Sequence, residues 1–186
     1  GVANIPTSEM SGFELEVKGF LSESWSLDLR AAFLDTEITS SYEALDNIKA
    51  ELYFFGEEPT RYALRENLKG NKLAKSPEWT ASLSIQYQDE TEMGYLTATA
   101  ELVHRGEFQQ RVFNNPFVDT VESYSVINLT ANLDLPGDVI GIDLMLLNAT
   151  DKAGMNSSMT DVFGVAGTGV EYIAPRQFMG RISYNF

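Results

Sequence analysis

Hydrophobic and polar residues alternate one for one along seven stretches of this chain. Successive side chains of a strand point to opposite faces, so each stretch predicts a strand with one apolar and one polar face. The first runs from Gly12 to Leu21, with Phe13, Leu15, Val17 and Leu21 opposing Glu14, Glu16 and Lys18. Trp25 to Glu37 follows, with Leu27, Leu29, Ala31 and Phe33 against Asp28 and Arg30. The third is the cleanest: Trp79, Ala81, Leu83, Ile85 and Tyr87 alternate with Thr80, Ser82, Ser84, Gln86 and Gln88. The remaining stretches are Gly94 to Phe108, Tyr124 to Asp134, Val139 to Asn148 and Gln177 to Phe186.

The connections alternate too. Ser22-Glu23-Ser24, Asp89-Glu90-Thr91-Glu92-Met93 and Leu135-Pro136-Gly137-Asp138 are short and polar, as hairpin turns are. Between them lie long links: Ile38 to Pro77, Gln109 to Ser123, and Ala149 to Arg176. In an antiparallel up-and-down meander every second connection falls at the same end, so the short turns share one rim and the long loops the other. That asymmetry, with strands of roughly ten residues, fits a transmembrane β-barrel with short periplasmic turns and long outer loops. Trp25, Trp79, Tyr87, Tyr95, Tyr124, Phe178, Tyr184 and Phe186 lie near strand ends, where interfacial aromatic girdles are expected. Alternation alone fits a soluble barrel or sandwich equally; the loop asymmetry and the apolar terminal strand favour the membrane.

Composition removes other classes. The chain has 186 residues, 44% hydrophobic and 11% aromatic, too apolar for intrinsic disorder. No run approaches the roughly 18 apolar residues of a spanning helix. Cysteine is absent, which excludes disulfides and thiolate metal sites. A net charge of −14 argues against nucleic acid as partner. Gly1 to Pro6 has neither the basic nor the apolar region of a signal peptide, so the expectation is a removed signal or a piece of a longer chain.

No catalytic constellation is present, and no enzyme, metal or cofactor is expected. His104 is the only histidine and is expected to be structural. Asp89, Glu90 and Glu92 are expected to form a solvated turn. Gly164, Gly167 and Gly169 lack the strand-to-helix context of a phosphate cradle and predict loop flexibility. Tyr42, Leu45, Ile48 and Leu52 recur at helical spacing and predict a short amphipathic helix over the outer rim.

Several soft motifs, taken in order, resemble one family. They are Gly12-Phe13-Glu14-Leu15-Glu16 with the Trp25-to-Phe33 strand, then Lys75-Ser76-Pro77-Glu78-Trp79-Thr80. Leu147-Asn148-Ala149-Thr150-Asp151-Lys152 and Ala174-Pro175-Arg176-Gln177-Phe178 complete the set. Their order and spacing across nearly the whole chain resemble the C-terminal barrel of a TonB-dependent outer-membrane receptor. The resemblance implies an all-β wall, about a third of a large plugged barrel, in the outer membrane of a Gram-negative bacterium. Single-chain bacterial barrels have even strand counts. Seven strands with no plug segment therefore give the expectation that residues 1–186 are a C-terminal fragment with the plug domain absent.

What it implies of function is uptake of a scarce siderophore, vitamin or glycan, energised by TonB through the plug. Expected partners are lipid, the plug and remaining strands, and the barrel-assembly machinery, for which Tyr184 and Phe186 resemble the C-terminal signal. Glu14, Glu16, Lys18, Asp28, Arg30, Glu101, Arg105, Asp143 and Arg181 share the polar parity. Charges facing lipid cost a few kcal/mol at the midplane, so these are expected to face the lumen, against the plug or solvent. Tyr53, Phe54, Phe55, Arg61, Tyr62 and Arg65 are the outer-loop candidates for ligand capture. The alternatives are a small stand-alone outer-membrane pore, which predicts an eighth strand, and a soluble β-barrel binding protein, which predicts a filled apolar interior.

Overall fold

The structure, a computed structural model, describes residues 4–49, 64–137, 139–160 and 168–186. Thirteen strands are found in it: β1 (Ser8–Phe20), β2 (Trp25–Ile38), β3 (Glu43–Leu45), β4 (Arg65–Asn67), β5 (Trp79–Thr91), β6 (Gly94–Arg105), β7 (Phe108–Gln109), β8 (Thr120–Val121), β9 (Tyr124–Asp134), β10 (Ile140–Leu147), β11 (Met155–Thr160), β12 (Thr168–Tyr172) and β13 (Gln177–Tyr184). Seven of them, in the order β1-β2-β5-β6-β9-β10-β13, form one antiparallel meander. The other six pair two by two within the long loops: β3 with β4, β7 with β8, β11 with β12. All seven predicted strands are therefore present and neighbours in sequence are neighbours in the sheet.

Some boundaries differ for local reasons. β1 begins at Ser8, because Ser8 to Ser11 pair with Ile38 to Asp35; the residues before Gly12 are not all loop. β5 runs on to Thr91, which pairs with Gly94, leaving Glu92-Met93 as the turn. Gly94 has φ +135°, and a side chain there would collide with the carbonyl of Asp134 on β9. β6 stops at Arg105 instead of reaching Phe108. The Gly106 N–H donates to the Trp79 carbonyl at 2.6 Å, and a Cβ at Gly106 would lie 2.8 Å from that oxygen. Phe108 then starts β7, a loop strand.

The wall has no core of its own. On its apolar face Phe13, Leu15, Val17, Trp25, Leu102, Leu129, Leu144, Phe178 and Ile182 are all exposed. Its other face carries Ser, Thr, Asn, Gln and charged residues. A single layer with an uncovered apolar side and a polar side is a membrane wall, not the filled interior of a soluble barrel. Phe13, Phe33 and Trp79 cluster at the long-loop end of the apolar face, with centroids 4.9–5.7 Å apart. Trp25 and Tyr87 meet in a tilted contact, centroids 5.0 Å apart, at the short-turn end. Trp25 and Phe33 lie eight residue steps apart on β2, about 26 Å along the strand. At a tilt near 40° that spans about 20 Å of bilayer. Tyr95 and Tyr124 correct the expected girdle: they pair with Asp134 and Arg105 on the polar parity and do not face lipid.

Among the described residues the buried hydrophobic ones are Ile38, Leu64, Leu68, Phe108 and Val121, all at the long-loop rim. The predicted helix over Tyr42 to Leu52 is not formed as expected. Glu43 to Leu45 are β3, residues 47–49 are helical, and residues 50–52 lie outside the described residues. Pairing with β4 satisfies this backbone, and Leu45 is left facing solvent.

Candidate functional site

Among the described residues, two sets of polar side chains stand out: the polar face of the wall and the loop cap above it. On the polar face the register brings Glu16 opposite Arg30 and Lys18 opposite Asp28. Lys18 Nζ lies 2.9 Å from Glu16 and 3.5 Å from Asp28, while Arg30 reaches Glu16 at 3.3 Å and Asp28 at 3.1 Å. These four residues form a closed, solvent-open square of alternating charge. Farther along, the Asn128 amide donates to Glu101 at 3.0 Å. Asp143 accepts from Asn132 at 3.1 Å and from Arg181 at 2.8 Å. All nine predicted polar residues share this face, and most neutralise one another within it. Glu14 sits opposite Ala32. Arg105 behaves differently, reaching up to the cap.

Arg111 organises the cap between the first and second long loops. Its guanidinium donates to both carboxylate oxygens of Asp119, at 2.5 and 3.2 Å, and to Asp46 and Asn47 at 2.7 Å each. Asp46 and Asp119 are 1% and 0% exposed, and among the described residues Arg111 is the cation that pairs with both. Burial alone would lower the Arg111 pKa. The hydrogen bonds to Asp119 and Asp46 and their negative charge outweigh it, and hold the group above its ordinary value. Asp119 also accepts the Asn115 N–H at 2.8 Å, and Arg111 lies 5.0 Å over the Phe113 ring. Nearby, Asn71 donates to the carbonyls of Val112 and Phe113, and Asn114 bonds both ways with Lys72. Sequence reading missed this knot. Its members lie 65 and 8 positions apart and carry no local signature.

The third loop is fastened by Asn148, in the left-handed conformation at φ 47°. Its N–H donates to Asn128, its amide to the carbonyls of Lys152 and Ala174, and its Oδ1 accepts from the Lys152 N–H. Asp151, at φ 53°, accepts the Arg176 N–H at 2.9 Å. Asn and Asp tolerate this backbone and bond to nearby peptides, which is the physical content of the Leu147-to-Lys152 motif.

Of the outer-loop candidates, Tyr53, Phe54, Phe55, Arg61 and Tyr62 lie outside the described residues. Arg65 is in β4, 3.8 Å from Glu43. His104 Nδ1 is 2.9 Å from the Ser125 hydroxyl, a cross-strand contact. Asp89 accepts from Ser24, Tyr87 and its neighbour's N–H and ties two turns together. Gly164 and Gly167 lie outside the described residues, whereas Gly169 is not loop: it pairs with Met159 in β12. Among the described residues no group of acids or histidine is placed to hold a metal.

A family model described as TonB dependent receptor-like, β-barrel matches residues 1–149. A search of curated proteins finds no match. Solved structures of similar fold include the ferric yersiniabactin uptake receptor FyuA from Yersinia pestis, with TM-score 0.69 and 16% identity, covering 94% of this chain and 23% of that one. BauA, the ferric preacinetobactin receptor from Acinetobacter baumannii, gives 0.68 and 17%, with 96% and 22% covered. The siderophore receptor PiuA from the same organism gives 0.67 and 19%, with 94% and 21% covered. The chain thus spans about a fifth of the length of each.

Proposed function

We propose that this chain, which belongs to the TonB-dependent receptor β-barrel family, is a C-terminal part of the wall and outer cap of a receptor for TonB-energised uptake of a scarce ligand. It is a protein of the Gram-negative outer membrane, and its family and structural relatives are receptors and not enzymes. The observation that carries the reading is the seven-stranded meander, with one uncovered apolar face bracketed by aromatics and every long loop at one rim. Siderophore-class ligands are the favoured cargo, because the structural relatives above include siderophore receptors.

In this reading the polar face lines the lumen and meets the plug. The square of Glu16, Lys18, Asp28 and Arg30 offers the plug a surface with no excess charge, over which it can move without breaking a strong ion pair. Energy comes from TonB acting on the plug; the wall supplies scaffold. Ligand capture falls to the outer loops, including Arg65 and the aromatic segment before it. Tyr184 and Phe186, stacked at 6.3 Å, present the apolar end that the barrel-assembly machinery takes up. A small closed pore has less support, since β1 and β13 do not pair with each other. The test is uptake of labelled ferric siderophores by cells making the intact protein, with and without TonB. Accumulation that survives TonB depletion would overturn the reading.

A further inference from the structure

Arg105 ends β6 at the outer rim of the polar face, opposite Tyr124 on β9. Its guanidinium carbon lies 4.5 Å from the Tyr124 ring centroid and 4.7 Å from that of Phe108. From this aromatic seat it donates to the carbonyls of Asn156, at 2.9 Å, and Met155, both on β11. The β11–β12 register shifts between Met155 and Ser157, so Asn156 is a bulge. A bulge re-aims the backbone, and here two successive carbonyls meet one planar donor fork. The base of the hairpin rests on the same ring: a Cβ at Gly154 would lie 2.7 Å from Tyr124. The Ile173 N–H closes that base on the Gly154 carbonyl at 2.9 Å.

The two cap arginines are held in different ways. Arg111 is paired with two buried carboxylates, an ionic tie between loops. Arg105 has no carboxylate in ion-pair range among the described residues, and its buried Nε has no hydrogen-bond partner. Neutral carbonyls and ring faces hold it. The hairpin it restrains also buries the Ser158 hydroxyl without a partner, so docking strands a polar group that undocking would hydrate. A restraint without a counter-ion, on a segment whose docked state carries such a cost, is suited to release.

We propose that Arg105 is the latch that holds the β11–β12 hairpin down at the outer rim of the polar face, and that the hairpin lifts as a lid when this side chain lets go. That lifting admits ligand rests on the lumen reading above; the latch itself does not. The experiment is amide exchange on the intact protein in outer-membrane vesicles, following residues 155–159 and 168–172. Arg105→Gln is expected to speed exchange there at least tenfold while β5, β9 and residues 64–68 stay protected. Arg105→Lys keeps the charge but not the planar fork, and should fall between. Unchanged exchange in the hairpin, or equal acceleration throughout the wall, would overturn the latch. Should Arg105→Gln fail to assemble, Gly154→Ala displaces the Tyr124 ring and leaves Arg105 in place. The same hairpin-confined acceleration is expected of it, and unchanged exchange again overturns the proposal. Uptake by the same variants separates the two readings: a loosened hairpin with unaltered uptake KM keeps the latch and removes its role in passage.

Discussion

Among the described residues, the middle of the seven-stranded wall buries no hydrophobic side chain, whereas the loops and strand ends at its outer rim bury five. The wall is one layer thick, and the cap folds on itself. In the wall, backbone groups pair from strand to strand and the apolar side chains point at lipid, so no protein core is required. The cap stands in water and is built like a small soluble domain. Ile38, Leu64, Leu68, Phe108 and Val121 are buried there, Phe108 opposite Val121, and Arg111 pairs with the buried Asp46 and Asp119. One chain therefore uses two solvents, and the sign of a substitution depends on which it meets.

The sharpest way to break this comparison is at Arg111. Arg111→Ala leaves Asp46 and Asp119 buried and uncompensated, at a cost of about 3–5 kcal/mol. That loss should appear as a lower opening free energy for amides around residues 46, 64 and 119, with the wall unmoved. If β2 and β5 loosened equally, cap and wall would be one cooperative unit and the distinction would fall. Next in size is Leu29→Arg, midway between the Trp25 and Phe33 aromatics on the apolar face. It should destabilise the membrane-inserted barrel by about 2–4 kcal/mol, read from urea unfolding in bilayers. Ser84→Arg, one row away on the opposite face, should be nearly neutral because it lands between Asp28 and Glu101.

Asn148 allows a finer division. Asn148→Ala loses both the side-chain bonds and the residue best suited to φ 47°, for about 1–3 kcal/mol at the base of the third loop. Asn148→Gly keeps the backbone and loses only the bonds. Protease cutting within residues 149–176 should rise in both and more in the alanine variant; equal cutting in the two would place the effect in bonding alone. The smallest effect is expected for Arg181→Ala. Its side chain is 68% exposed and pairs with Asp143 across two strands, so barrel stability should hold. A change in plug retention without a change in stability would mark this face as the plug contact, and no change in either would leave it a solvated wall.

The wall was largely legible in the sequence because period-2 alternation is a local property and the bilayer enforces it. Each strand from Gly12-Phe13-Glu14 onward declares its faces without knowing its neighbours. Even there, Tyr95 and Tyr124 were misplaced when judged by position near a strand end instead of by parity. Tyr124 supports a cation, which no pattern along β9 shows. The cap was mostly illegible. Arg111 meets Asp46 across 65 positions, and Tyr42 to Ile48 have helical spacing that β3–β4 pairing overrides. Only Asn148 and Asp151 left a local mark, two residues suited to left-handed backbone placed where a strand must end.

One property of the meander has a geometric consequence for any closed form. β1 and β13 both run from the long-loop rim toward the short-turn rim, so the two open edges of the sheet point the same way. Joining them directly would create a parallel seam in an otherwise antiparallel wall. Rotation about a pore axis leaves strand direction unchanged, so copies arranged in a circle would meet in the same parallel seam. An all-antiparallel cylinder that contains these seven strands therefore interposes an odd number of others between the two edges.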